Sequence, residues 1–301
     1  MHNRGEVAEP TKKKILNIIK ELNYRPNILA STLASKKSAV FATLFPKPPS
    51  TEGYWNKPFI GVKKRIAELQ QYSVQLVPFS FSQSSPESFV QGAQKLMELQ
   101  PDGIILAPFF KKEALHLIEQ LKERRIPFVF IDSEIKKAGH LGYIGQDSYQ
   151  SGLVSGKLLD LILPEGNILV IHFAMEMDNQ NHLVQREKGF YDWFAQNDRR
   201  DHQLFTTEVP DTADEKWMEP VLKMIREKNI KGLFVTNSKV FNAGRLIEKY
   251  NLEEQKVIGH DLLKENTRFL KKDIVQFLIC QRPEEQGYNA LNKLFRHVVQ
   301  K

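Results

Sequence analysis

The sequence contains a single cysteine, Cys280, among its 301 residues, so no disulfide bond can form within it. The residues before it, Phe277-Leu278-Ile279, are apolar and favour a packing role for this thiol over a nucleophilic one. The sequence also lacks any run of about 18 apolar residues, and it begins without the apolar segment of a secretory leader. These absences exclude a disulfide-stapled fold and predict a cytoplasmic protein that does not enter a membrane.

Motifs that mark the common catalytic classes are missing too. The sequence has no phosphate-binding GxxxxGK(S/T), no dinucleotide-binding GxGxxG and no GxSxG nucleophile turn. Its eight histidines are scattered and show no HExxH or other paired ligand spacing. Asp132 and Asp147 are conceivable as an acid–base pair, but nothing in their spacing requires hydrolysis. We therefore expect a protein that is not an enzyme and that uses neither a metal ion nor a cofactor.

Positive charge is concentrated at the start of the chain. Residues 1–38 carry eight lysines or arginines against three glutamates, whereas the net charge of the whole chain is +7. A basic segment ahead of a nearly neutral remainder suits a polyanionic partner such as DNA. A solvated basic helix would explain the charge equally well, so the charge alone does not decide between them.

The basic segment has the pattern of one helix and a shorter second piece. Thr11 can cap the helix, Asn23 and Pro26 end it, and its apolar residues recur at helical spacing: Ile15, Ile18, Ile19 and Leu22. Residues 28–35 are apolar at helical spacing as well, but they are too few for a helix that is stable alone. We expect this piece to order only when a partner is present, and residues 36–38 to form a linker.

From Ala39 onward apolar strands alternate with amphipathic helices. The strands are continuously apolar, as in NILVIHF at residues 167–173, which is typical of parallel sheets covered on both faces. The series is too long for one sheet, and it restarts after residues 164–166. We therefore predict an α/β fold with two doubly wound parallel-sheet lobes behind a partial all-α head. The predicted units are a head at residues 1–38, a first lobe at residues 39–163 plus 280–301, and a second lobe at residues 164–279.

Polar side chains recur where the predicted strands end. In open α/β sheets, ligands bind beyond the carboxyl ends of the strands. Carboxylates, amides, one guanidinium and two aromatic rings fall there, a set that suits the hydroxyls and the C–H face of a sugar. Each polar group taken alone is also a good helix cap or turn residue, and either aromatic ring is equally suited to packing under its loop. The candidate ligand-binding residues are Tyr54, Trp55, Asp132, Gln146, Asp147, Arg186, Asn237, Asp261 and Gln281.

The segment Leu22-Asn23-Tyr24-Arg25-Pro26-Asn27, with the small residues and the Lys-Ser that follow it, resembles the end of the DNA-binding head of the LacI/GalR repressors. In that family a hinge helix folds on the operator and inserts a leucine into the minor groove, where such a wedge kinks a base step. The resemblance implies that role for Leu33. It also implies DNA contacts for Tyr24, Arg25, Asn27 and Ala30.

The remainder resembles the sensor domain of the same family, which has a type I periplasmic-binding-protein-like fold. Five stretches match its motifs in the same order, and they imply ligand positions at Asp147, Arg186, Asn237, Asp261 and Gln281. The stretches are IGQDSYQSG at 144–152, QREKGF at 185–190, FVTN at 234–237, VIGHD at 257–261 and CQRPEEQG at 280–287. Ser133 and Ser238 stand where sugar-binding relatives often carry an arginine and an acidic residue, so no particular sugar is implied.

The resemblance implies a sugar-responsive transcription repressor that acts as a homodimer on a palindromic operator. Sugar binding between the lobes would change the spacing of the two DNA-binding heads. No helix-turn-helix pair precedes the hinge in this sequence, so we expect the chain as written to bind operator DNA weakly or not at all. The alternative is a sugar-binding protein of a transport or sensing system, which shares the fold and the pocket. The hinge-like residues 24–38 favour the repressor.

Overall fold

A computed structural model describes residues 8–21, 38–48, 52–174, 181–199, 201–210 and 214–300. The predicted DNA contacts lie outside these described residues: Tyr24, Arg25, Asn27, Ala30 and Leu33. The described part confirms the predicted fold class, because it contains two parallel sheets of five strands each, with helices between the strands. From Ala39 onward strands alternate with helices as predicted, and the apolar stretch at residues 167–173 is a strand with those bounds.

The basic segment contains helix α1, Glu9–Glu21. This helix begins before Thr11, whose backbone N–H donates a hydrogen bond to the carbonyl of Ala8 over 2.9 Å. Pro10 explains the earlier start, because proline suits the first turn of a helix, where the backbone N–H groups have no partner within the helix. The prediction that Thr11 caps this helix is therefore wrong.

The first sheet opens a crevice at its carboxyl edge. Its strands pair in the order β2-β1-β3-β4-β5, all parallel, and the order reverses between β1 and β3, which is where doubly wound sheets bind ligands. The strands are β1 (Ala39–Pro46), β2 (Val74–Phe81), β3 (Gly103–Leu106), β4 (Phe128–Ile131) and β5 (Tyr143–Ile144). The connecting helices are α2 (Asn56–Glu68), α3 (Pro86–Leu99) and α4 (Lys111–Glu123), with a 3-10 turn at Gln70–Tyr72.

The second sheet repeats this arrangement. Its strand order β10-β9-β8-β6-β7 is again all parallel, and it reverses between β6 and β8. The strands are β6 (Asn167–Phe173), β7 (Leu204–Val209), β8 (Ile230–Val235), β9 (Lys256–His260) and β10 (Phe277–Ile279). The remaining helices are α5 (Ser148–Ile162), α6 (Asn181–Gln196), α7 (Met218–Glu227), α8 (Val240–Tyr250), α9 (Lys264–Lys271) and α10 (Pro283–Val298), and a 3-10 turn, Glu215–Trp217, precedes α7.

Each sheet is covered on both faces, which explains why its central strands are continuously apolar. In β3, Ile104, Ile105 and Leu106 are all fully buried. Ile104 and Leu106 pack against the side of α3 and α4, whereas Ile105 packs against the side of α2 and α10. A strand that is buried on one face only would alternate apolar and polar residues.

Helix α5 packs on the second sheet although it follows the last strand of the first. Its Leu159 shares a buried cluster with Ile168 of β6, and its Ser151 hydroxyl lies 3.0 Å from Nε2 of His260. The predicted first lobe, residues 39–163, includes this helix, and on these contacts we assign it to the second lobe instead. Helix α10 makes the opposite crossing, because it follows β10 and packs on the first sheet through residues such as Leu294.

Close backbone contacts fix both of these helices. A Cβ on Gly152 of α5 would lie 2.0 Å from the carbonyl oxygen of Arg186 in α6, and one on Gly189 of α6 would lie 2.0 Å from that of Tyr149. In the first lobe, a Cβ on Gly287 of α10 would lie 1.9 Å from the carbonyl oxygen of Pro58 in α2. Only glycine permits so close an approach of two helix backbones.

Two further features differ from the sequence analysis. Cys280 is exposed rather than packed, because β10 is an edge strand that ends at Ile279. Helix α9 is not evident from the sequence, since its residues KENTRFLK are few and mainly polar. In the part of the chain that the structure describes, every helix is too short or too polar to cross a membrane.

Candidate ligand-binding site

The carboxyl ends of the two sheets border one cleft with a volume of about 1360 Å³. Residues that follow strands of both sheets line it, as expected at the switch points of doubly wound folds. Seven of the nine predicted ligand-binding residues are among the lining residues: Tyr54, Trp55, Asp132, Arg186, Asn237, Asp261 and Gln281. The other two, Gln146 and Asp147, follow β5 and do not line the cleft.

Arg186 is the largest buried polar side chain at this site, with 1% of its surface exposed. It lies on α6, and its Nη1 donates a hydrogen bond to the carbonyl oxygen of Thr236 over 2.7 Å. Its Nη2 donates to Oε1 of Gln281 over 2.6 Å and to Oε1 of Gln146 over 3.0 Å. Its Nε has no partner among the described residues. The guanidinium is thus held in one orientation at the cleft by three of its five N–H groups, and the Nε–H is one of the two that remain.

Asp261 lies beside this arginine at the end of β9. Its Oδ2 accepts a hydrogen bond from Nε2 of Gln281 over 2.8 Å, and its side chain is almost fully buried. Burial raises the pKa of Asp261 to about 6, although the charge of Arg186 and the hydrogen bond from Gln281 lower it. At neutral pH this carboxylate is therefore a charged acceptor inside the cleft.

Asp132 occupies the matching place at the end of β4. Its Oδ1 accepts a hydrogen bond from the Tyr54 hydroxyl over 2.7 Å, and its carbonyl oxygen accepts one from the Tyr143 hydroxyl over 2.9 Å. Burial, followed by the charge of Asp132, raises the pKa of Tyr54 well above its usual value, so this phenol stays a donor. Asp132 and Asp261 both adopt left-handed backbone conformations, with φ of 67° and 70°. Such a conformation is unusual outside glycine and is often found at functional sites.

The two predicted aromatic residues form one wall of the cleft. Trp55 is 6% exposed and packs against Phe45 of β1, with 5.8 Å between the ring centroids. Tyr54 meets Trp55 edge to face at 5.4 Å. Trp55 therefore packs under its loop. The ring of Tyr54 contacts Trp55, and its hydroxyl is hydrogen-bonded to Asp132.

The remaining predicted residues hold the backbone around the site. Asp147 is exposed and caps α5, since its Oδ1 accepts a hydrogen bond from the backbone N–H of Gln150 over 2.9 Å. Asp147 thus acts as a helix cap, and its place as a ligand position stays a prediction. Asn237 lines the cleft, but its amide also donates to the carbonyl of Phe173 over 2.9 Å and accepts from the N–H of Lys239 over 3.1 Å.

His182 lines the cleft and is absent from the predicted set. It lies one helical turn before Arg186 on α6, and its Nδ1 is buried with no partner among the described residues. Burial lowers its pKa to about 4, so the imidazole is neutral and can either accept or donate a hydrogen bond. A polar residue spaced four positions from a predicted ligand arginine is the sequence signal that points to it. Phe109 and Phe110 also line the cleft, from the end of β3.

No cluster of three or more histidine, cysteine, aspartate or glutamate side chains within the described ranges could hold a metal ion. The arrangement instead presents two carboxylates, a fixed guanidinium, a neutral histidine and aromatic surface in one cleft. Groups of these types have the donors and acceptors that can hold a polar ligand by complementary hydrogen bonds.

A two-lobed α/β chain with such a cleft has the architecture of a ligand-binding protein. The model of the family described as periplasmic binding protein domain matches residues 41–301. The chain belongs to this family.

The curated relatives are transcription regulators. The chain is 30% identical over 162 residues to catabolite control protein A of Staphylococcus aureus, covering 53% of this chain and 46% of that protein. It is 22% identical over 153 residues to the HTH-type transcriptional regulator MalR of Streptococcus pneumoniae, covering 50% of this chain and 45% of that protein. The chain thus spans about half the length of the curated relatives it matches. These relatives confirm the resemblance to LacI/GalR regulators.

Solved structures of a transcription regulator and of a sugar-binding protein share the fold of this chain. A protein of Bacteroides fragilis assigned as a LacI transcriptional regulator has 28% identity and a TM-score of 0.80, covering 88% of this chain and 92% of that chain. GanP of Geobacillus stearothermophilus, a glucose-galactose binding protein, has 21% identity and a TM-score of 0.76, covering 88% of this chain and 93% of that chain. At that identity, the second likeness concerns the fold alone.

Proposed function

We propose that this chain is the sensor part of a cytoplasmic, homodimeric transcription regulator of the LacI/GalR type, and that it is not an enzyme. A sugar or related polyol binds between the lobes and controls binding of operator DNA. The observation that carries the proposal is Arg186, a buried guanidinium that three partners fix at the cleft, with Nε left over.

The chemistry of the cleft suits vicinal hydroxyls. Asp132 and Asp261 offer carboxylate acceptors from the two lobes, and Arg186 offers a donor between them. Charged acceptors and donors of this kind bind hydroxyl pairs, while the ring of Tyr54 offers an apolar surface to the C–H face of a sugar. Because Asp132 and Asp261 belong to different sheets, a ligand that contacts both binds the closed arrangement better than the open one. That difference in affinity is what can change the state of the DNA-binding heads.

Calorimetric titration of the purified chain with a panel of monosaccharides and disaccharides tests the proposal. At least one sugar should bind, and Arg186→Lys should weaken it by about 10- to 100-fold, because a lysine cannot reproduce the forked hydrogen bonds. Arg199→Lys is the matched control, since Arg199 pairs with Asp160 beyond the other end of α6. Binding of no sugar, or equal binding by both variants in their folded state, would contradict the proposal.

A sugar-binding protein of a transport or sensing system is the second candidate, favoured by the shared fold of GanP. Calorimetry cannot separate the two, because both bind sugar in the same cleft. The genomic sequence that precedes the codon of Met1 does separate them. A helix-turn-helix in the same reading frame favours the regulator, whereas an apolar leader favours the transport protein.

A further inference from the structure

A chain of hydrogen bonds leads from Arg186 away from the cleft to the surface of the second lobe, buried at its inner end and exposed at its outer end. It includes His172, which lies on β6 and is fully buried. Nδ1 of His172 is 2.7 Å from the hydroxyl of Thr236, and Nε2 is 3.1 Å from Oε2 of Glu187. Thr236 is the residue whose carbonyl oxygen accepts the hydrogen bond from Arg186.

Glu187 is anchored on its other side as well. Its Oε1 accepts a hydrogen bond from the hydroxyl of Thr206 on β7, and that hydroxyl lies 2.9 Å from the hydroxyl of Tyr191. The hydrogen bond from His172 lowers the pKa of Glu187, so its side chain is a carboxylate at neutral pH. A carboxylate can only accept hydrogen bonds, which fixes the direction of both contacts that it makes.

These directions determine which nitrogen of His172 carries the proton. Since the Glu187 carboxylate accepts, Nε2 of His172 must be protonated, as is usual for a histidine paired with a carboxylate. The hydroxyl of Thr236 has one hydrogen and lies 2.7 Å from Nδ1 and 3.4 Å from the carbonyl oxygen of Ile171, so the shorter contact is the one to which it donates when Nδ1 carries no proton. The backbone of Thr236 is also held, because its N–H donates to the carbonyl of Ile171 over 3.2 Å.

We propose that Glu187 and His172 are positioning residues that set the orientation of Arg186 for its ligand by holding Thr236 in place. This inference rests on the proposed function, because it takes Arg186 as a ligand contact. Arg186 and Glu187 are neighbours on α6, yet they reach Thr236 by two routes, one direct and one through His172. The contacts therefore close a ring that joins α6, β6 and the end of β8.

If the pair were purely structural, Glu187 would only supply a hydrogen-bond acceptor for the buried imidazole of His172. Loss of the pair would then lower the stability of the fold without changing the affinity of the folded chain. A positioning role makes a different prediction, because a guanidinium with a loosened partner loses part of its ligand affinity. Affinity and stability must therefore be measured on the same variants.

The test compares Glu187→Gln with Asp192→Asn in the intact chain. Asp192 lies on the same helix and accepts a hydrogen bond from the Tyr149 hydroxyl over 2.8 Å, outside the ring of contacts. Calorimetry with the sugar that the wild type binds should show about tenfold weaker binding for Glu187→Gln and a change within about twofold for Asp192→Asn. In the Arg186→Lys background, the further effect of Glu187→Gln on the dissociation constant should disappear, as expected for residues that act through one group.

Equal affinity of Glu187→Gln and the wild type, or an undiminished effect in the Arg186→Lys background, would overturn the inference. If the wild type binds no sugar, the proposed function fails. The inference about Glu187 and His172 can then still be tested by NMR, which reports the protonated nitrogen of His172 and the hydrogen exchange of the Arg186 guanidinium. The ring of His172 should be protonated at Nε2 in the wild type, and the hydrogens of the Arg186 guanidinium should exchange faster in Glu187→Gln. A His172 protonated at Nδ1 alone, or unchanged arginine exchange, would overturn it.

Discussion

The hydroxyl of Tyr54 donates a hydrogen bond to Oδ1 of Asp132 over 2.7 Å, although 78 positions separate the two residues in the sequence. Tyr54 follows β1 and Asp132 follows β4, so the parallel sheet brings both to the same edge. The contact uses one oxygen of the carboxylate and holds the other in a defined direction at the cleft. A carboxylate that is oriented before its ligand arrives loses less conformational freedom on binding.

Replacement of this tyrosine tests that orientation. Tyr54→Phe keeps the ring and removes the donor, so we expect the sugar to bind about tenfold more weakly while the fold stays intact. Tyr149→Phe is the control, because Tyr149 donates to Asp192 away from the cleft. Calorimetry on both variants provides the measurement, and equal losses of affinity would contradict the role assigned to Tyr54.

The raised pKa of Asp261 predicts a pH-dependent term in stability. Between its unfolded value of 3.8 and its folded value of about 6, the folded chain retains a proton that the unfolded chain has released. The contribution of this group to the free energy of unfolding is therefore lost as the pH rises through that window, by up to about 3 kcal/mol. The Asp261→Asn variant has no group that titrates at this position. Its free energy of unfolding minus that of the wild type should therefore rise from pH 4 to pH 7. Urea unfolding at intervals of one pH unit measures this difference, and a constant difference would contradict the assignment.

Asn266 should be important for the stability of the second lobe. Its buried amide donates to the carbonyl oxygens of Ser238, His260 and Asp261 within 3.0 Å, and its Oδ1 accepts from the N–H of Phe241. Asn266→Ala leaves these buried backbone groups without a partner, which should cost about 2–4 kcal/mol in the free energy of unfolding.

Asn197→Ala is the control for that variant, because the Asn197 side chain donates to the carbonyl of Trp193 at an exposed helix end. We expect its effect to stay below about 1 kcal/mol. Urea denaturation gives both values. A cost for Asn266→Ala no larger than that of the control would show that water replaces the lost partners.

The contact between α5 and α6 should respond sharply to one methyl group. Gly152→Ala places a Cβ 2.0 Å from the backbone carbonyl oxygen of Arg186, whereas Gly156→Ala places one at the larger distance of 2.7 Å, from the Cβ of Trp193. We expect Gly152→Ala to cost about 2–4 kcal/mol and Gly156→Ala clearly less. Thermal unfolding ranks the two variants, and the reverse order would contradict the close helix contact.

The fold class is predicted correctly because the sequence patterns that indicate it, apolar runs between amphipathic helices, are local. Central strands such as β3 are apolar on both faces, and such runs between amphipathic helices define a parallel sheet without knowledge of distant contacts. Helix α9 escapes prediction for the opposite reason, because only Phe269 and Asn266 of its eight residues are buried. The assignment of α5 fails since amphipathic spacing shows that a helix packs, but not on which sheet.

The candidate site was predictable where a residue follows a strand. Asp132, Asp261 and Gln281 were found by this rule, and all line the cleft. The same rule cannot tell a ligand position from a helix cap, which is why it also selects Asp147. The ring through His172 and Glu187 depends on side chains of β6, β7 and α6 that meet only in the folded chain, so no spacing in the sequence reveals it.

The two lobes exchange their final helices. α5 leaves the first sheet to cover the second, and α10 returns from the second sheet to cover the first. Neither half of the sequence therefore encodes a self-sufficient folding unit, and a cut between α5 and β6 would leave each piece without part of its own core. We expect both lobes to unfold in one cooperative step, and the two halves expressed as separate polypeptides to regain structure only by association with each other.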